Sequence, residues 1–222
     1  MNNSVVKIVV FDIGGVMINL AHSWAAACEF AGIDFRPFDF TPEQKQKFAQ
    51  LITEDEINAI TTCEFMEQLS TLLGNLYSVA ELERINYCII REEFPGMLEF
   101  VQELKEHGLR TACLSNTNAL HWPALTDPSL YPAIAKLDER YASHLLGARK
   151  PDVQIYRLFE SLEHLEPQDI LFFDDRADNV EAAIAAGWHA VQILPDTPPV
   201  EQMRQALELL SASAPCCPSP RG

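Results

Sequence analysis

The residues of this chain best suited to chemistry on an anionic group are Asp12, Ser115, Lys150, Asp174 and Asp175. Asp12 ends the β-branched run Val5-Val6-Lys7-Ile8-Val9-Val10-Phe11 and is followed by Gly14 and Gly15. A carboxylate in a tight loop after such a run can attack phosphorus or carbon once its charge is restrained and the substrate oriented. In Leu114-Ser115-Asn116-Thr117-Asn118 a hydroxyl and an amide come directly after a second apolar run. Such donors, with backbone N–H groups, stabilise an anionic oxygen. Lys150, in Arg149-Lys150-Pro151, could neutralise both a carboxylate and a phosphoryl group. Phe172-Phe173-Asp174-Asp175 places two acids after a third apolar run, with Asp178 and Asn179 following. Adjacent carboxylates are costly unless a cation compensates them. With Asp12 they form the oxygen-rich set that Mg²⁺ prefers.

Taken singly, each group has a plainer reading. Asp-x-Gly-Gly is a common solvated turn, Ser-Asn a common loop, an Asp at a helix start a cap, and most lysines are surface decoration. The joint occurrence, each group at the end of an apolar run or the start of the next element, is what favours a site.

The elements that must position them alternate. Residues 5–11, 109–114, 170–173 and 190–194 read as strands; 95–107, 151–163 and 178–186 read as helices. Strands separated by helices predict right-handed βαβ units and a doubly wound parallel sheet, whose ligands bind at the carboxyl ends of the strands. The stretch 21–91 differs, carrying helical patterns and little that reads as strand. Residues 21–31 stop at Gly32, Thr41-Pro42-Glu43 is a helix start, and Thr61 or Thr62 can cap a helix bearing Phe65, Leu69, Leu72 and Leu73. Ser78 opens another, with Leu82, Ile85 and Ile89 as its stripe. The expected organisation is an α/β core from 1–19 and 92–212, a helical insertion over 20–91 and a flexible Pro/Ser/Cys tail over 213–222, whose mobile character starts near Ser211.

A chain of 222 residues can bury a sizeable core, and its 48% apolar and 22% charged residues are those of a soluble globular protein. The net charge of -16 argues against nucleic acid or an anionic membrane as partner. Any anionic substrate must therefore be held by local cations and N–H groups. The six cysteines show no CxxC spacing, so a zinc site is not expected. The first residues lack a secretory pattern, and no apolar run approaches the ~20 residues of a membrane span, so a cytoplasmic location is expected.

The order Asp12, Ser115, Lys150, Asp174-Asp175 resembles the four-motif signature of the haloacid dehalogenase superfamily. The strings LSNTN, RKPDVQIY and FFDDRADN resemble, more narrowly, its α-D-glucose-1-phosphate phosphatase type. The resemblance implies an α/β doubly wound core with an inserted helical cap that closes over the site. It implies Mg²⁺-dependent hydrolysis of a small phosphorylated metabolite, in a monomer or homodimer. Asp12 would be the nucleophile that becomes an aspartyl-phosphate, and Ser115 and Asn116 would hold the phosphoryl group. Lys150 would stabilise its charge. Mg²⁺ would be held by Asp12, the Gly14 backbone carbonyl and Asp175, with Asp174 orienting Lys150 or a metal-bound water.

One departure stands out. Phosphatases of this family usually carry a second Asp two residues after the nucleophile, as general acid and base; here that position is Gly14. General acid–base catalysis contributes ~10²–10⁴-fold, so a substitute is sought, and His22 and Asp34 are candidates. Metal-independent dehalogenases also lack that Asp, but they do not keep the paired acids. A non-catalytic interaction protein is a further alternative; against it stands an acidic cluster that would repel itself without a cation. Trp24, Trp122 and Trp188 read first as packing residues, Trp24 being the best placed to meet a sugar, and His121, after the LSNTN loop, reads as a structural histidine or as one that borders the pocket. Phe35, Phe38 and Phe40 could line an insertion surface or a dimer contact.

Overall fold

The computed structural model describes residues 6–213. The buried strand β1 (Ile8–Phe11) leads through the Asp12–Gly15 loop to the short β2 (Ile18–Leu20). Four helices follow, α1 (Trp24–Ala31), α2 (Pro42–Glu56), α3 (Thr62–Leu72) and α4 (Val79–Tyr87), and then β3 (Ile90–Glu93). Their starts are the expected ones. Ser23 caps α1, and Thr41/Gln44, Thr61/Glu64 and Ser78/Glu81 form reciprocal capping boxes that satisfy otherwise unpaired N–H groups. β2 and β3 pair antiparallel, so the helical insert leaves and re-enters the core through one two-stranded ribbon. The sequence patterns miss this ribbon because Ile90-Arg91-Glu92-Glu93 carries one apolar residue and continues a helical stretch. Ile89, expected on the α4 stripe, lies beyond that helix and is half-buried.

The alternating part continues with α5 (Met97–Glu106), β4 (Arg110–Ser115), the short helices α6 (Trp122–Leu125) and α7 (Pro132–Lys136), β5 (Glu139–Ala142) and α8 (Ser143–Leu146). Then come α9 (Val153–Glu163), β6 (Ile170–Asp174), α10 (Ala177–Ala185), β7 (His189–Gln192) and α11 (Pro199–Ser213). β5 was not expected: at the sheet edge, Glu139-Arg140-Tyr141-Ala142 lacks an apolar signature. α11 runs through Ser213, so the stretch from 211 that read as tail is helical at its start, while 214–222, with Cys216 and Cys217, lies outside the described residues.

The sheet is parallel throughout, in the order β5-β4-β1-β6-β7. Period-two alternation divides its residues between two cores, as expected for strands covered on both faces. Val9, Phe11, Cys113, Leu171 and Phe173 pack with α5 and α11, whereas Ile8, Val10, Leu114, Ile170 and Phe172 pack with α9 and α10. The insert buries its own cluster, including Leu51, Phe65, Leu69, Tyr77, Leu82 and Ile85. Phe38 and Phe40 pack against that cluster, and Phe35 is exposed. Trp188 is buried in the second sheet core and Trp122 packs on the first. Among the described residues no helix is long and apolar enough to cross a membrane.

Candidate active site

Strand register assembles the site. Phe11 is level with Cys113 on one side and Phe173 on the other, and the Asp12 N–H continues the ladder to the Phe173 carbonyl at 2.8 Å. Asp12, Ser115 and Asp174 therefore emerge together at the carboxyl edge of three adjacent strands, where open α/β sheets bind ligands. Asp12, Asp174 and Asp175 each offer a carboxylate oxygen within 4.8 Å of the others.

Lys150 enters from the loop before α9, with its side chain wholly buried. Its ammonium lies 2.6 Å from Asp174 Oδ2 and 3.0 Å from Asp12 Oδ1. The hydrogen bond is directed to Asp174. Asp12 Oδ1 is thus within ion-pair distance yet buried and without a well-aligned donor. Burial opposes the charge on Lys150, but the two carboxylates outweigh it and hold the ammonium more firmly protonated than an ordinary lysine. Burial dominates at Asp12, which is pushed up to about 7; Lys150 opposes the shift and Asp174 adds to it. Asp175, half-buried, is also pushed up, by burial first and Asp174 second.

Asp174 is saturated. Besides Lys150, it accepts hydrogen bonds from the Arg176 N–H at 2.9 Å and from Asn179 Nδ2, 3.0 Å from each carboxylate oxygen. Asn179 is anchored in turn by the Tyr156 hydroxyl, which donates to its carbonyl at 2.8 Å. Gly15 makes room for the neighbouring acid: at φ +72° it presents no side chain, and a Cβ there would stand 2.7 Å from Asp175 Oδ2. At Gly14 the vacant position is faced by Leu20, whose Cδ1 would lie 2.9 Å from a Cβ.

Ser115 is buried at the end of β4 and lines the cavity beside Asp12. The Asn116 side chain is committed elsewhere: Oδ1 accepts the Lys150 N–H and Nδ2 donates to the Lys150 carbonyl, both at 2.9 Å. It fixes the Lys150 backbone like a paired strand.

A cavity of about 470 Å³ lies between this edge and the insert. The insert contributes Trp24, Phe48, Ile52, Phe65 and Leu69 as an apolar wall, with Asp55, Glu56 and Asn86 as polar groups. Polar contacts join the two sides. Asn118 Nδ2 donates to Asp55 Oδ2 at 2.7 Å, Arg149 Nε lies 2.8 Å from Glu56 Oε2, and the His121 ring donates from Nε2 to the Asn86 carbonyl at 2.8 Å. Arg149 also donates to Thr53 Oγ1 at 2.6 Å. Burial pushes His121 down, so its ring is neutral near pH 7.

His22 and Asp34, considered as substitutes for a second acid, are both exposed and do not line the cavity. Asp55 and Glu56 do line it, and the sequence offered no sign of this. They belong to the acidic run Glu54-Asp55-Glu56 at the end of an ordinary amphipathic helix, and only the packing of α2 on the Asn116–Asn118 and Arg149 loops sets them apart.

The described geometry combines a restrained carboxylate, a buried ammonium, an oxygen-rich acidic cluster and a lined cavity. A family model for haloacid dehalogenase-like hydrolases matches residues 6–187. D-ribitol-5-phosphate phosphatase of Bacteroides thetaiotaomicron is 26% identical over 191 residues, covering 84% of this chain and 91% of that protein. Acyl-CoA dehydrogenase family member 10 of Mus musculus is 25% identical over 198 residues; this chain spans only 18% of that protein's length, matched by 84% of its own. A solved structure of a family enzyme of Bacteroides thetaiotaomicron, in complex with magnesium and inorganic phosphate, superposes with a TM-score of 0.69 at 20% identity, over 86% of this chain and 96% of that one. With the family model matching most of its length, the chain belongs to the haloacid dehalogenase-like hydrolases.

Proposed function

We propose that this protein is a Mg²⁺-dependent phosphatase of small phosphomonoesters, with Asp12 as nucleophile. The observation that carries this reading is the placement of Lys150 between Asp12 and Asp174, with Asp175 completing an acidic cluster beside it. The donor set suits a hard cation: it is all carboxylate oxygen, and Asp12 Oδ1 is buried without a well-directed donor. Asp12, Asp175 and the Gly14 carbonyl would hold Mg²⁺, which supplies charge neutralisation for nucleophile and phosphate alike. Asp174 is saturated by protein donors and serves to orient Lys150.

The chain's own residues do the rest. Asp12 attacks phosphorus and takes the phosphoryl group, splitting hydrolysis into two displacements. The Ser115 hydroxyl and the Asn116 N–H receive the phosphoryl oxygens, and the Lys150 ammonium offsets their charge where water is excluded. The helical insert over 20–91, packed on the Asn118, His121 and Arg149 side chains, acts as a cap that shields the reaction and meets the leaving group. The paired acids Asp174 and Asp175 favour phosphoryl transfer over dehalogenation of carbon, which needs no metal ion.

The substrate class is a sugar or polyol phosphate. A cavity of about 470 Å³ with Trp24 on its wall and Asp55 and Asn86 as hydrogen-bonding groups suits a small polyhydroxylated leaving group. The Bacteroides relative acts on such a compound by name. Cys28, Cys63, Cys88 and Cys113 are free thiols, which fits a reducing cytoplasm. The test is phosphate release from a panel of sugar, polyol and nucleoside phosphates, with and without Mg²⁺. Release that requires Mg²⁺ and disappears in Asp12→Asn is expected; halide release from 2-haloacids without metal, and no phosphate from the panel, would overturn the reading.

A further inference from the structure

Once the ester bond breaks, an alkoxide leaving from phosphorus needs a proton, and position 14 has no side chain to give one. Of the carboxyls and the imidazole in or behind the cavity wall, all but one are committed elsewhere. Asp12 is the nucleophile. Asp174 has both oxygens occupied by Lys150, Arg176 and Asn179. Asp175 belongs to the proposed cation set. Glu56, although burial pushes it up as well, has its Oε2 taken by the Arg149 guanidinium at 2.8 Å, a cation that opposes proton retention. His121 uses Nε2 on the Asn86 carbonyl and its backbone N–H on Asn118 Oδ1, an arrangement of a fixed structural ring.

Asp55 remains. It is 5% exposed and lines the cavity from the insert side, opposite Asp12 and Ser115. Only Oδ2 is bound by protein, through Asn118 Nδ2 at 2.7 Å, and no cation pairs with it among the described residues. Asn118 is itself fixed, because its Oδ1 accepts the His121 N–H at 3.0 Å, so its amide is oriented with Nδ2 toward Asp55. A neutral donor thus fixes the carboxyl in the wall of the cavity where the cap would meet a leaving group.

We infer that Asp55 is the catalytic proton donor and acceptor for the leaving group, replacing from the cap the side chain that Gly14 lacks. This deepens the phosphatase reading above and rests on it. In the first step an Asp12 oxygen forms a bond to phosphorus as the ester P–O bond breaks. That bond's electron pair passes to the leaving oxygen, which takes the proton of the Asp55 carboxyl and departs as an alcohol. In the second step the Asp55 carboxylate takes a proton from the attacking water. The water oxygen bonds to phosphorus, the Asp12–phosphorus bond breaks, and its electron pair returns to the Asp12 carboxylate. Asp12 and Asp55 both end as they began. Burial without a cationic partner pushes Asp55 up from the ordinary carboxylate range, the direction a proton donor needs.

The test measures kcat/KM with Mg²⁺ for 4-nitrophenyl phosphate, phenyl phosphate and ribitol 5-phosphate, for the wild type and Asp55→Asn. This parameter reports steps up to formation of the phosphoryl-enzyme, so slow hydrolysis of that species does not mask the effect. Asn retains an acceptor for Asn118 but no proton to give. The expected result is a loss of about 10²–10⁴-fold on ribitol 5-phosphate, a smaller loss on phenyl phosphate and under 10-fold on 4-nitrophenyl phosphate, whose anion leaves unaided. An equal loss on all three, or a rise in KM with kcat retained, would overturn the proposal and make Asp55 a binding or structural group. If Asp55→Asn fails to fold, the wild type decides alone: a shallow dependence on leaving-group acidity supports an acid in the site, and a steep one overturns it. No release by the wild type from any of the three removes the phosphatase reading itself; release unaffected by Asp55→Asn removes this assignment only.

Discussion

Lys150 and Asp174 form an ion pair, 2.6 Å long, in which both side chains are wholly buried. Taking two charges out of water is repaid only when each keeps its partner. Asp174→Leu should therefore destabilise the protein by about 3–5 kcal/mol, the typical cost of leaving one member of a buried pair behind. Lys150→Met should cost a similar amount because it leaves Asp174 unpaired beside Asp12. The double variant should cost clearly less than the two losses added together. Urea unfolding of the four proteins measures this coupling, and strict additivity would mean that the pair acts as two independent groups.

Asp12 makes the metal-free protein sensitive to pH. Its titration point is raised from 3.8 in the open chain to about 7 in the fold, mainly by burial. Between those values the folded protein keeps a proton that the unfolded chain has released, so stability falls as pH rises through this window and is level above it. Asp12→Asn removes the effect. In EDTA the variant should gain steadily on the wild type as pH rises from 4 to 7. A stability difference independent of pH would contradict the placement of Asp12.

Gly15 tests the cation site from the backbone. Its φ of +72° disfavours any other residue, and a Cβ would stand 2.7 Å from Asp175 Oδ2. Gly15→Ala should cost about 1 kcal/mol or more of stability and push Asp175 aside. The Mg²⁺ concentration needed for half-maximal phosphate release should rise at least about 10-fold, equivalent to ~1.4 kcal/mol of lost binding. An unchanged Mg²⁺ titration would remove Asp175 from the cation set.

Arg149 ties the C-terminal turn of α2 to the core through Glu56 and Thr53. Arg149→Met leaves the half-buried Glu56 carboxylate without its cation. Amide exchange over residues 42–56 should speed up, and KM should rise more than kcat falls because the closed cavity is less populated. Exchange rates equal to the wild type would show that the contact carries no closure energy.

The sheet was legible where strands are buried on both faces. Residues 5–11, 109–114 and 170–173 are mainly apolar, and their ends mark where Asp12, Ser115 and Asp174 stand. Capping residues such as Thr41, Thr61 and Ser78 located the insert helices, because their side chains act within one turn of sequence. Edge and ribbon strands were not legible: β5 and β3 carry charged residues facing solvent, and long-range pairing alone makes them strands. Asn116 illustrates the same limit within the site. Its residue type suggested a phosphate donor, whereas its amide is taken up by the Lys150 backbone across 34 residues of sequence. Asp55 was hidden for the opposite reason, as one acid among three at a helix end that only tertiary packing distinguishes.

The bond that Asp12 is proposed to make to phosphorus can be observed. Enzyme mixed with Mg²⁺ and 4-nitrophenyl phosphate, quenched in acid during turnover and mapped by peptide mass spectrometry, reads that bond directly. The expected result is a phosphoryl group on Asp12 that is absent when Mg²⁺ is withheld. Turnover with Asp12 unmodified, together with wild-type rates in Asp12→Asn, would contradict it.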